Sequence, residues 1–84
     1  MLLQAYSIYD SAIAAYKGIY LFQSEMEAKR AAVDLLTQQQ SNINQHPQDY
    51  ALMRIGTWND ATGEFTSGES IKTLVNFWEL QIGR

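Results

Sequence analysis

The only histidine of the chain, His46, lies three residues before Asp49 in a polar segment, and this pair comes nearest to an acid–base site. An imidazole acts as a general base when a nucleophile such as a thiol lies beside it, and the chain has no cysteine. One histidine among singly scattered carboxylates also lacks the ligand set of a metal site. We therefore interpret His46 as a solvated loop residue and expect no enzymatic activity, no metal and no cofactor.

The glycines do not form a phosphate-binding loop. Gly63 and Gly68 are typical of turns, and Asp60 to Gly63 lacks the further acidic positions of a calcium loop. Gly56 lies within an apolar run, where glycine marks a bulge or a close backbone contact.

Aromatic residues are the unusual feature, with two Trp, five Tyr and three Phe among 84 residues. Those left at the surface could stack on single-stranded bases or line a protein interface, and both interpretations stay open. Lys17 and Arg54 lie near aromatic residues in sequence, a pattern that suits a nucleic-acid groove or cation–π packing between subunits. The residues predicted to bind nucleic acid are Arg54, Trp58, Lys17, Tyr16 and Tyr20, and those predicted for self-association are Phe77 and Trp78.

Arg54 and Trp58 are predicted to share one side of a strand, because they lie four positions apart and alternate residues of a strand face the same side. There Arg54 would contact a phosphate, and a base would stack on the neighbouring indole ring of Trp58. The net charge of −3 excludes a strongly basic coat protein. Any binding of single-stranded DNA should therefore be weak to moderate and without sequence preference.

The length of 84 residues predicts one domain over residues 1–84. A chain of this size without disulfides is marginally stable, so we expect a homodimer. The longest apolar-looking stretch, from Ile8 to Phe22, is too polar to cross a membrane, and no signal peptide is apparent. We expect no membrane association.

Two strands are predicted near the start, over Gln4 to Asp10 and over Ile19 to Gln23. The segment between them, Ser11 to Lys17, fits a turn or a short helical segment. Ser24 and Glu27 then form a capping box that begins a helix reaching to about Gln40.

A third strand is predicted over Tyr50 to Trp58, followed by a hairpin with Asp60 at the turn and Gly63 at a positive φ. Phe65 and Thr66 form a short fourth strand that Ser67 and Gly68 end. The tail is predicted as a short helix from about Ser70, although its β-branched and aromatic residues also suit a strand. The resulting fold class is α+β, a small, mostly antiparallel sheet of order β-β-α-β-β with one helix on one face and a possible short C-terminal helix.

Several segments together resemble the small nonstructural proteins of gokushovirus-type microviruses, which are single-stranded DNA phages of bacteria. The order and spacing match over about residues 5 to 65. The matching segments are Tyr6-Ser7-Ile8-Tyr9-Asp10, Ala15-Tyr16, Glu27-Ala28-Lys29-Arg30, His46-Pro47-Gln48-Asp49-Tyr50-Ala51-Leu52, Ile55-Gly56 and Asp60-Ala61-Thr62-Gly63.

This resemblance implies a phage protein of the bacterial host cytoplasm that assists single-stranded DNA synthesis or packaging, with no catalytic residues. The alternative is a homo-oligomeric interaction or adaptor protein that contacts a phage or host replication protein without binding DNA. The segment from Pro47 to Tyr50 is interpreted as structural, because proline fixes the loop and Asp49 can bond its amides.

Overall fold

The structure, a computed structural model, describes residues 1–38 and 42–82. Four antiparallel strands form one sheet, and helices cover one of its faces. This architecture confirms the predicted α+β fold. The strands are β1 (Leu2–Asp10), β2 (Ala15–Phe22), β3 (Tyr50–Asn59) and β4 (Glu64–Asn76). Their order across the sheet is β2-β1-β3-β4. The helices are α1 (Glu25–Thr37), the short α2 (Asn42–Gln45), a 3-10 turn (Pro47–Asp49) and α3 (Phe77–Ile82).

The core lies between the sheet and α1. Tyr6 of β1 and Leu52 of β3 project from the sheet onto Ala28 and Ala32, whose small side chains let the helix lie close. Phe77 of α3 is fully buried in the same cluster. Phe77, one of the two side chains predicted for self-association, is therefore part of the core of one chain, because α3 folds back onto the sheet.

The start of α1 follows the predicted capping box. The Glu27 N–H donates to the Ser24 hydroxyl at 3.2 Å, and the Glu27 carboxylate accepts from the N–H of Gln23 at 3.4 Å. The carboxylate thus reaches one residue further back than the predicted Ser24 N–H. The helix ends at Thr37, and residues 39 and 40 of its predicted extension lie outside the described residues.

The segment between the first two strands is a turn, and β2 begins at Ala15, earlier than predicted. The Asp10 carboxylate accepts from the Ala12 N–H at 3.0 Å and lies 3.4 Å from Lys17 Nζ. One buried carboxylate therefore fixes both ends of the turn.

The β3–β4 hairpin contains the predicted turn, with Gly63 at φ 74°. One of its side-chain acceptors is Asn59, whose Oδ1 accepts from the Ala61 N–H at 3.0 Å. Asp60, predicted for that role, pairs instead with the terminal ammonium of Met1 at 2.7 Å.

The fourth strand corrects the prediction for the tail. Instead of ending at Ser67, β4 continues to Asn76, and the helix begins only at Phe77. Residues 68–71 bulge out opposite the single residue Ile55, after which pairing resumes at Lys72. The β-branched Thr73 and Val75 therefore pair in the sheet, as their propensities allow. Among the described residues no helix is long and apolar enough to span a bilayer.

Candidate functional site

Arg54 and Trp58 lie on opposite faces of the sheet. Arg54 pairs with Tyr6 and Trp58 pairs with Leu3, and these two partners are three residues apart on β1. The prediction that they share one side is wrong, because Ile55 bulges out of β3 and reverses the alternation beyond it. We call the side that carries Tyr6, Leu52 and α1 the helix face, and the opposite side the open face.

The other three residues predicted to bind nucleic acid lie on the edge strand β2, apart from Arg54. Lys17 pairs with the buried Asp10 carboxylate. The ring of Tyr16 lies on the open face, 4.8 Å from that of Tyr9, whereas Tyr20 pairs with Tyr6 on the helix face. The structure does not bring the five predicted residues together.

A different pair of cations does meet, on the helix face. Arg54 of β3 and Lys72 of β4 are direct cross-strand partners. Neither forms an ion pair with any residue that the structure describes. Arg54 Nε is buried, and none of the described residues accepts a hydrogen bond from it. Like charges directly opposite each other destabilise a sheet, and a buried N–H without an acceptor adds to that cost.

These two cations border a concavity of about 350 Å³ between β3 and the bulge of β4. Hydroxyl groups, which can donate to an oxyanion, supply much of the remaining lining. One carboxylate, that of Glu69, also faces the concavity and opposes an anion there. We call this the cation pocket; it is lined by Arg54, Gly56, Thr57, Thr66, Ser67, Gly68, Glu69, Ser70 and Lys72.

Gly56 lets β4 approach closely enough to form this pocket. A Cβ at this position would lie 2.3 Å from the Thr66 carbonyl oxygen and 3.0 Å from the Phe65 ring. A glycine is therefore required, and the predicted close backbone contact is confirmed.

Tyr6 connects the cation pocket to the core. Its hydroxyl is buried without a hydrogen-bond partner in the described part of the chain, and Tyr6 is the cross-strand partner of Arg54. Burial raises the pKa of Tyr6 above its usual value of 10.0; the Glu25 carboxylate adds to the rise and Arg54 opposes it. The neutral phenol is thus favoured beside the guanidinium.

The segment around His46 is structural. His46 is exposed, Pro47 is buried, and the Asp49 carbonyl accepts from the Ser11 N–H at 2.9 Å and from its hydroxyl at 3.0 Å. This segment therefore holds the β1–β2 turn against the start of β3, through a backbone carbonyl where the sequence analysis expected a carboxylate. Within residues 1–38 and 42–82 no cluster of three metal-ligating side chains occurs.

Sequence reasoning missed Lys72 and the hydroxyl groups of the bulge. Lys72 was assigned to a helix, and a helix would not have placed it opposite Arg54. The available signal was the run Thr66-Ser67-Gly68-Glu69-Ser70 followed by alternating β-formers, which is typical of an interrupted strand.

The family comparison agrees with an accessory phage protein. The chain belongs to the family described as Phage ORF5 protein, whose model matches residues 3–80. That description names no catalytic activity. No curated protein and no solved structure matches the chain.

Proposed function

We propose that this phage protein is a non-enzymatic accessory protein that binds the phosphate backbone of single-stranded DNA at the cation pocket. Binding is weak and independent of sequence, and it serves replication or packaging of a microvirus-type genome in the bacterial host cytoplasm. The observation that carries the proposal is the cross-strand pairing of Arg54 with Lys72, neither of which forms an ion pair with a carboxylate of residues 1–38 or 42–82.

A phosphate diester fits the chemistry of this pocket. Its oxygens would accept from the unpartnered Nε of Arg54 and from the neighbouring hydroxyls, and its charge would relieve the repulsion between the two cations. Glu69 limits the attraction, so the affinity for one phosphate is modest. Contacts of this kind carry no sequence information.

Single-stranded DNA suits the pocket better than a duplex. The two cations lie in a small concavity beside an edge strand, not along an extended basic stripe. A flexible strand can bring one phosphate into such a concavity, whereas a rigid duplex presents its charge over a broad surface.

A second function remains open, that of an interaction protein that contacts a phage or host replication protein without DNA. The apolar side chains on the open face favour it, because they resemble the surface of a protein interface. The two functions differ in whether the Arg54–Lys72 pair is needed.

Fluorescence anisotropy of a labelled oligothymidine, measured over a series of salt concentrations, tests the proposal. Two phosphate contacts predict that log K falls with log salt at a slope of about −1.4. Lys72→Gln should weaken binding and reduce the slope to about −0.7, whereas Lys29→Gln on exposed α1 should leave both unchanged.

Equal losses of affinity for the oligothymidine in the Lys72 and Lys29 variants would contradict the proposed pocket. Absence of binding at low salt and high micromolar protein would leave the interaction protein as the better account. Inorganic phosphate at matched ionic strength serves as a competitor that distinguishes a free-phosphate site from a DNA site.

A further inference from the structure

The open face of the sheet is apolar, although α1 covers only the helix face. The register places Leu3 beside Trp58 and Phe65, and Tyr9 beside Tyr16. An antiparallel sheet with one solvated face normally shows polar residues on that face, whereas apolar residues on both faces are typical of a sheet that is covered twice. The sheet therefore has the composition of one that is covered on both faces.

Irregularities in three strands build a concavity at the centre of this face. Residues 18–19 of β2, residue 55 of β3 and residues 68–71 of β4 all interrupt regular pairing. Each irregular stretch contributes an isoleucine, Ile19, Ile55 or Ile71, to one concavity of about 590 Å³. The isoleucines converge because bulges redirect side chains.

We propose that a second copy of this chain covers the open face, so that two sheets pack face to face with their helices outward. Among the described residues, the cross-strand pairs whose side chains lie on this face include no Lys or Arg. Among those same residues, Glu69 of the bulge supplies the only carboxylate that lines the concavity. A charged partner such as nucleic acid gains no ion pair from such a surface. A second apolar face of the same kind is complementary to it.

Five large side chains on this face supply about half of the area that a stable dimer needs. Ile19 is 65% exposed and Ile71 is 50% exposed, and the exposed fractions of Tyr16, Leu21 and Phe65 lie between 39% and 48%. With roughly 150–250 Å² for each large side chain, these five expose on the order of 450 Å². Their partly exposed neighbours raise this toward the ~800 Å² per partner of a standard interface.

The dimer contact proposed here lies on the open face of the sheet and not at the C-terminal segment that the sequence predicts. Phe77 is buried within its own chain, and Trp78 is 43% exposed on α3. The interface proposed here includes Trp58 and excludes Trp78. The cation pocket opens on the helix face and shares only bulge residues 67–70 with this concavity. Its two cations lie outside the proposed interface, so the dimer does not require them.

Sedimentation equilibrium between about 10 and 500 μM tests the inference, since each chain has a mass of 9.6 kDa. We expect the wild type to approach twice that mass. Ile19→Glu and Ile71→Glu should shift the protein to the monomer, whereas Met26→Glu, at a 75% exposed position on α1, should remain a dimer. Circular dichroism checks that all three variants fold.

Tryptophan fluorescence supplies a second readout without disturbing the face. In a Trp78→Phe variant, emission from Trp58 should shift to shorter wavelength as the concentration rises through the association range. A wild-type monomer at 500 μM would overturn the inference, as would a dimer that survives both isoleucine variants or one that Trp78→Phe dissociates.

Discussion

Arg54 and Lys72 face each other across the β3–β4 ladder, and no carboxylate forms an ion pair with either of them within the described part of the chain. A sheet built for stability alone would place opposite charges or an apolar pair here. The arrangement therefore predicts that stability and binding respond in opposite directions to the loss of one charge.

Lys72→Gln should raise the free energy of unfolding by about 0.2–1 kcal/mol in the absence of DNA, because it removes a cross-strand repulsion. Urea unfolding at low salt measures the change, and the difference should shrink as salt screens the charges. Lys29→Gln is the matched control and should leave stability within about 0.5 kcal/mol of the wild type. A destabilised Lys72 variant would indicate that Lys72 has a structural partner.

Gly56→Ala should destabilise the protein by about 1–3 kcal/mol, since the added Cβ would lie 2.3 Å from the Thr66 carbonyl oxygen and force β4 outward. The same shift would widen the cation pocket. Thermal unfolding measures the loss, and Gly68→Ala, whose Cβ comes no closer than 3.3 Å to a neighbouring atom, serves as the comparison. Equal melting temperatures for the Gly56 variant and the wild type would show that the strands are not in close contact.

Ser24→Ala should lower the free energy of unfolding by about 1 kcal/mol, because the Glu27 N–H loses its acceptor at the helix start. Thermal melts of the two proteins measure the change. Ser24→Asp should retain most of the stability, since a carboxylate also caps a helix. Its negative charge also interacts favourably with the positive N-terminal end of the helix dipole. Coincident melts of wild type and Ser24→Ala would place the start of the helix elsewhere.

Tyr6→Phe should protect the fold at high pH. The pKa of Tyr6 is raised in the folded state, so its stabilising contribution is complete below the unfolded value of about 10 and is lost as the pH rises through the folded value. The variant should equal or exceed the wild type at pH 7, because the hydroxyl has no partner, and should be more stable above pH 10.

Urea midpoints between pH 7 and 11 check this prediction. Tyr50→Phe is the comparison, because burial and the neighbouring Asp10 carboxylate also raise the pKa of Tyr50. A large loss of stability in Tyr6→Phe at pH 7 would mean that the hydroxyl makes a bond in the folded protein.

The sequence predicted those elements whose signals are local. The capping box at Ser24 and the turn at Gly63 depend on residues near each other in the chain, and both occur. The close contact at Gly56 also occurs, although its partner Thr66 lies on the next strand. The alternation of faces failed at Ile55, because an extra residue in one strand is fixed by pairing with β1 and β4 and not by local propensity.

The candidate site could be predicted only in part for the same reason. Arg54 was identified from its aromatic neighbours in sequence, but its actual neighbour is Lys72, 18 positions later on the other arm of a hairpin. A helical tail, as the sequence predicts, would be incompatible with that pairing. The strand continues instead because Thr73 and Val75 gain partners on β3 that a helix could not offer.

The most direct test of the proposed function is an NMR titration of the protein with oligothymidine at low salt, observing backbone amides and the Nε–H of arginine side chains. The account predicts that the Arg54 Nε–H and the amides of residues 56–57 and 66–72 shift together. The Nε–H signal of Arg30, which is exposed on α1, should not shift and serves as the internal control. Shifts confined to the open face around Tyr16 and Phe65, or an unchanged Arg54 signal in the presence of bound DNA, would contradict it.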